Sequence, residues 1–121
     1  MAGHNILGAA GEYAAMQYLT LKGYRIRDTN WRYHHLELDI VAENDDYIVF
    51  VEVKTRSSVH FANPEDAVDY RKMKHLINAA EAYMAINNID KDFRFDILAI
   101  AVIGNRYHFN HIEDAFMPPV L

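Results

Sequence analysis

Three side chains in one short stretch could do hydrolytic chemistry together. Asp39 lies within Leu36 to Ala42, and Glu52 and Lys54 lie within Tyr47 to Lys54. Both segments show the period-two pattern of strands, and the spacer Glu43-Asn44-Asp45-Asp46 is turn-forming, which predicts an antiparallel hairpin. A turn centred between Asp45 and Asp46 sets Val41 opposite Phe50, Asp39 opposite Glu52 and Glu37 opposite Lys54, all on one face. Leu36, Leu38, Ile40 and Ala42 then share the other face. Opposed carboxylates about 5 Å apart destabilise a sheet unless a cation compensates them. Mg²⁺ (or Mn²⁺) suits this, since it takes one or two protein carboxylates and fills its shell with water and phosphate oxygens. A lysine alongside can orient a water or stabilise charge on a phosphorus oxygen. These are the parts of a phosphodiester hydrolase.

The same residues have plainer readings. One is a solvated hairpin with Glu37–Lys54 as an ordinary cross-strand ion pair. Another is a glycosidase acid pair, although Trp31 is the only tryptophan available to line a sugar cleft. Glu12 adds a further acid. Helical spacing puts it on an apolar stripe with Ala15, Met16 and Leu19. A carboxylate there needs a partner, either a local one at the stripe's edge or the same cation.

These groups need a framework to hold them. Residues 5 to 22 read as a helix stopped by Gly23, and Tyr24 to Thr29 as a short strand before the hairpin. Asn63-Pro64-Glu65-Asp66 is a helix start, with Asn as cap and Pro at the first helical position, and that helix runs to about Asn87. Phe95 to Ile103 is a buried strand, Gly104-Asn105 a turn, and Arg106 to Ile112 the returning strand. The order implies an α/β fold, with a mixed sheet of about five strands flanked by helices.

The chain of 121 residues fits one domain over residues 1–121. Its 51% hydrophobic and 24% charged residues exclude disorder, coiled coil and collagen. The absence of cysteine excludes disulfides, thiolate zinc sites and thiol nucleophiles. The longest apolar run, Ile97 to Ile103, falls far short of the roughly 20 residues a spanning helix needs. The N-terminus has no basic region and carries Glu12 inside its apolar stretch, so it is not a secretory signal. A cytoplasmic protein with no membrane partner is expected.

The formal net charge of −5 argues mildly against a polyanion-binding protein. Its distribution qualifies this, because basic stretches flank the acidic residues 37 to 52. Arg56, Lys72 and Arg32 are the candidates for contact with a phosphate backbone. The seven histidines show no zinc spacing. Asp96, opening an apolar strand, reads as a structural hydrogen-bond acceptor.

Leu38-Asp39-Ile40-Val41 followed by Val51-Glu52-Val53-Lys54-Thr55-Arg56 resembles the PD-(D/E)xK nuclease signature. Over roughly residues 8 to 116 the chain resembles the YraN-like family of small bacterial proteins, itself similar to archaeal Holliday-junction resolvases. The resemblance is carried by Gly11-Glu12 with Ala15, Tyr18-Leu19, Gly23-Tyr24, Asn30, Glu37-Leu38-Asp39 and Phe50 to Arg56. Further along it includes Lys72 with Leu76 and Ala80, Phe95-Asp96 and Ala115-Phe116. The chain departs from the pattern at Leu36, where the family usually has Gly, and at Leu38, which replaces the superfamily's Pro. The resemblance implies a restriction-endonuclease-like core, with Asp39 and Glu52 as metal ligands. It also implies Lys54 as the catalytic lysine and Glu12 as a helix-borne acid. The expectation is a Mg²⁺-dependent endonuclease acting on DNA, branched or repair intermediates included, with Glu12, Asp39 and Glu52 collecting the metal and Lys54 positioning the attacking water. The alternative is a non-catalytic nucleic-acid-binding or adaptor module. Resolvase-like enzymes are dimers, so a homodimer is implied for a symmetric branched substrate.

Overall fold

The computed structural model of the protein describes residues 6–56 and 68–117. The elements are α1 (Ile6–Leu21), β1 (Arg25–Tyr33), β2 (Leu36–Glu43), β3 (Tyr47–Arg56), α2 (Tyr70–Ile86), β4 (Asp92–Ile103) and β5 (Arg106–Phe116). Gly23 ends α1 as expected. Its φ of 99° is a conformation that glycine adopts cheaply, and it lets Tyr24 N–H return to the Leu19 carbonyl. The start expected for the second helix at residues 63–66 lies outside the described residues. The described helix begins at Tyr70, where Asp69 caps it by accepting the Lys72 N–H at 2.9 Å, and ends at Ile86 with Asn87 as its C-cap.

The sheet is mixed and five-stranded, in the order β1-β2-β3-β4-β5. All neighbours are antiparallel except β3 and β4, which α2 joins as a parallel crossover. The helices cover opposite faces. Ala15 and Leu19 of α1 pack on Ile40, Ala42, Val49, Val51, Leu98 and Ile100. Leu76, Ala79, Ala80 and Tyr83 of α2 pack on Val41, Ile48, Phe50, Phe95 and Ile97. The long apolar runs in β3 and β4 follow from burial on both faces.

Three boundaries differ from the sequence reading by three residues or more. β1 continues past Thr29 to Tyr33, β4 begins at Asp92 and β5 reaches Phe116. Apolar periodicity marks only the part of a strand that lies under a helix, whereas ladder hydrogen bonds continue through polar residues. Among the described residues, no helix is long and apolar enough to cross a membrane.

Candidate active site

The hairpin turn sets the register that the sequence predicts, with Ile40, Val41, Ala42 and Glu43 paired to Val51, Phe50, Val49 and Ile48. Asn44 fixes the turn, its side chain accepting from the N–H groups of Asp46 and Tyr47. Beyond Ile40 and Val51 the ladder stops, while β3 stays paired to β4 as far as Arg56 and Ala101. The strands part at Asp39 and Glu52. The Val53 N–H is satisfied by the Asp39 carboxylate at 2.9 Å instead of by a strand carbonyl. Asp39 is therefore held by its chain neighbours and by the backbone across the gap.

Two sequence expectations fail at this split. Leu36 and Leu38 pack with the core under α2, whereas Ile40 and Ala42 pack under α1, so alternation breaks at Asp39. Opposite, on β1, Asn30 takes a φ of 51° between the paired residues Thr29/Ile40 and Trp31/Leu38. This left-handed residue marks the same kink in the neighbouring strand. Glu37 consequently does not meet Lys54. It pairs with Arg32 across β1 and β2, the two charged groups lying 4.0 Å apart.

Glu52 is buried at 8% exposure, with the Asp39 carboxylate close enough to act on its charge. Burial first, and then the Asp39 charge, push its pKa up to about 7. The opposing influence is Lys72, whose Nζ stands 3.3 Å from Glu52 Oε2. Lys72, read from the sequence as a phosphate contact, is thus an ion-pair partner of the acid pair. No sequence signal identifies this, because the pairing depends on where the first turn of α2 lands over the sheet.

The other charged residue in the described core, Asp96, shows what full compensation looks like. It takes two hydrogen bonds from Arg94 at 2.9 Å, one from His111 Nε2 at 2.7 Å and one from the Asp114 N–H at 3.0 Å. Burial alone would raise its pKa, but His111, Arg94 and the Asp114 N–H outweigh that and hold it below the usual range. Asp96 is the structural acceptor read from the sequence. Glu52, with one ammonium and a second carboxyl beside it, is left wanting positive charge.

Glu12 lies one strand further over. Its carboxylate accepts from Asn30 Nδ2 at 2.5 Å, on the α1 side of the sheet. Gly11 sets this position: a Cβ on it would meet Thr55 Oγ1 at 2.3 Å, so the backbone of α1 rests directly on β3. Asn30, not weighed as a site residue in the sequence, is the partner that Glu12 requires. The described residues contain no group of three or more His, Asp and Glu placed to hold one metal ion, and the hydrogen bond Glu12 makes is to Asn30. Lys54 is half-buried two residues beyond Glu52 and forms no ion pair among the described residues. Arg56 is exposed, its guanidinium donating to the Thr55 carbonyl at 3.1 Å.

Fold and site together define an α/β protein whose mixed sheet opens at a carboxylate pair beside a lysine-bearing strand. The model of the family described as uncharacterised protein family UPF0102 matches residues 11–100. A UPF0102 protein of Bacteroides thetaiotaomicron is 51% identical over 120 residues, covering 99% of both chains. One from Bacteroides fragilis is 46% identical over 120 residues, again 99% of each. One from Alkaliphilus oremlandii is 45% identical over 113 residues, 91% of this chain and 97% of its own. The chain belongs to family UPF0102, the YraN-like family its motifs resemble. The matched span includes every site residue named above, from Glu12 to Lys72.

Proposed function

We propose that the protein is a divalent-metal-dependent endonuclease acting on DNA, with Mg²⁺ or Mn²⁺ held by Asp39 and Glu52. One observation carries this: two carboxyl groups meet in a gap between strands, one of them buried, with a single protein ammonium beside them. A hard cation with oxygen ligands suits such a pair, and water and substrate phosphate can complete its shell. The ion would supply Lewis-acid stabilisation of charge on the phosphorus oxygens. Lys54, without an ion partner among the described residues, is free to orient the attacking water or to neutralise the same charge. Glu12, fixed through Asn30 at the neighbouring strand, can order water from the α1 side. Arg56 and Arg32 serve the phosphate backbone. A symmetric branched substrate calls for two such sites and hence a homodimer. The setting is the cytoplasm, where such DNA is found.

The test is divalent-ion-dependent cleavage of branched, single-stranded and duplex DNA, with Asp39→Ala and Lys54→Ala controls. Cleavage by the wild type that both substitutions abolish supports the proposal. Cleavage that survives both comes from a contaminant and leaves the proposal without support. A net charge of −5, with Arg32 tied to Glu37, weakens attraction for a phosphate backbone and so favours a second reading, a weakly binding, non-catalytic nucleic-acid-binding or adaptor module. Divalent-dependent binding without any cleavage would select it.

A further inference from the structure

The acid pair already has a cation, and it belongs to the protein. Lys72 Nζ sits 3.3 Å from Glu52 Oε2, with 40% of the lysine side chain exposed against 9% of the glutamate's. The turn that carries it is fixed. Asp69 accepts the Lys72 N–H at 2.9 Å through its side chain and the Met73 N–H at 2.8 Å through its carbonyl. The lysine stem therefore enters from solvent and can leave without unpacking the core or moving the helix. Arg94 and Asp96 are built differently, with two bonds at 2.9 Å and side-chain exposures of 12% and 0%. That pair is a fixture. The Lys72 contact is a single point made by a flexible, strongly hydrated ammonium.

We infer that Lys72 is a displaceable counter-ion of the Asp39–Glu52 pair, which yields Glu52 to a divalent cation and then turns to a substrate phosphate oxygen. This rests on the metal reading proposed above. A divalent cation brings twice the charge, and brings it to both carboxylates, so it wins the exchange at Glu52. Once the acids are neutralised, Lys54 and Lys72 leave the site net positive. The phosphate is drawn in after the cation, which imposes an order of binding. Lys72 is thus a positioning residue with two opposed effects: it weakens metal binding and strengthens binding of the nucleic acid.

Calorimetric Mn²⁺ titration of the full chain tests this, comparing wild type with Lys72→Met, Lys72→Arg and, as the metal-site control, Glu52→Gln. Removing the competing ammonium is expected to tighten Mn²⁺ binding on the order of tenfold in Lys72→Met, while Lys72→Arg stays within about threefold of wild type. In the presence of Ca²⁺, Lys72→Met is also expected to weaken DNA binding on the order of tenfold by fluorescence anisotropy. A purely structural lysine would lower Tm without tightening Mn²⁺ binding. Lys72→Met that binds Mn²⁺ no more tightly than wild type overturns the inference, and the metal reading survives if Glu52→Gln abolishes the heat. No Mn²⁺ binding by any variant overturns both.

Discussion

At the scale of single residues, Glu52 makes the site's electrostatics measurable. Its pKa of about 7 lies above the ordinary 4.5 because burial and Asp39 disfavour the charged form. A carboxyl raised in the fold stabilises it while protonated, and that contribution disappears as pH climbs from about 4.5 through about 7. The shift corresponds to on the order of 3 kcal/mol at alkaline pH. In chelator, Tm should therefore fall over this window, and Glu52→Gln should flatten the fall. Asp39→Asn should shrink it and raise Tm at pH ~8, since Asn can still accept the Val53 N–H while no longer repelling Glu52. Thermal unfolding from about pH 4.5 to about pH 8 decides this. A profile identical in wild type and Glu52→Gln would show that Glu52 ionises without cost. Asp39 and Glu52 were legible in the sequence because residue type, spacing and a short turn fix them locally. The partners Lys72 and Asn30 were not, since each meets its acid only after distant elements have packed.

At the scale of elements, the split hairpin depends on how closely α1 approaches β3. An exposed mid-helix Gly→Ala substitution ordinarily stabilises by up to ~1 kcal/mol. At Gly11 the added methyl would come within 2.3 Å of Thr55 Oγ1 and 2.8 Å of Thr55 Cγ2, and overpacking of this kind costs about 1–3 kcal/mol. The clash decides the sign. Gly11→Ala should destabilise, lifting Glu12 away from Asn30, and Gly11→Ala with Thr55→Ala should recover part of the loss in urea unfolding. Additive losses would show that the two residues do not touch. The opposite edge of the sheet is locked by Asp96. Its lowered pKa means that its contribution is present at neutral pH and is lost as pH falls through the folded value. Asp96→Ala leaves Arg94 and the nearly buried His111 without their anion, at a cost of about 3–5 kcal/mol. Urea midpoints that differ from wild type by less than experimental error would refute this. The element order was readable from apolar periodicity and turn residues. The strand ends were not, because Asn30 interrupts the pattern of β1 while the ladder continues around it.

At the scale of the whole molecule, the proposed function raises the question of how a chain of net charge −5 would hold a polyanion. The acids are not spread evenly. Asp39 and Glu52 are the groups a divalent cation would neutralise, and Glu43 is already covered by Arg25, Arg27 and Lys91 within 3.3–3.7 Å. The repulsion a phosphate backbone would meet is thus smaller than the formal charge suggests, and Arg32, Arg56 and Lys72 are the cations assigned to it. Three phosphate contacts on duplex DNA give a slope of log K against log salt of about −3. Measured by anisotropy in Ca²⁺, the slope for a linear duplex should fall to about −2 in Arg56→Ala. A homodimer placing two sites on one branched substrate would roughly double it, so the same titration on duplex and on four-way DNA reads the number of sites engaged. Equal slopes on both substrates, with the chain monomeric by light scattering, would remove the dimer from the proposal while leaving the single acid pair its chemistry.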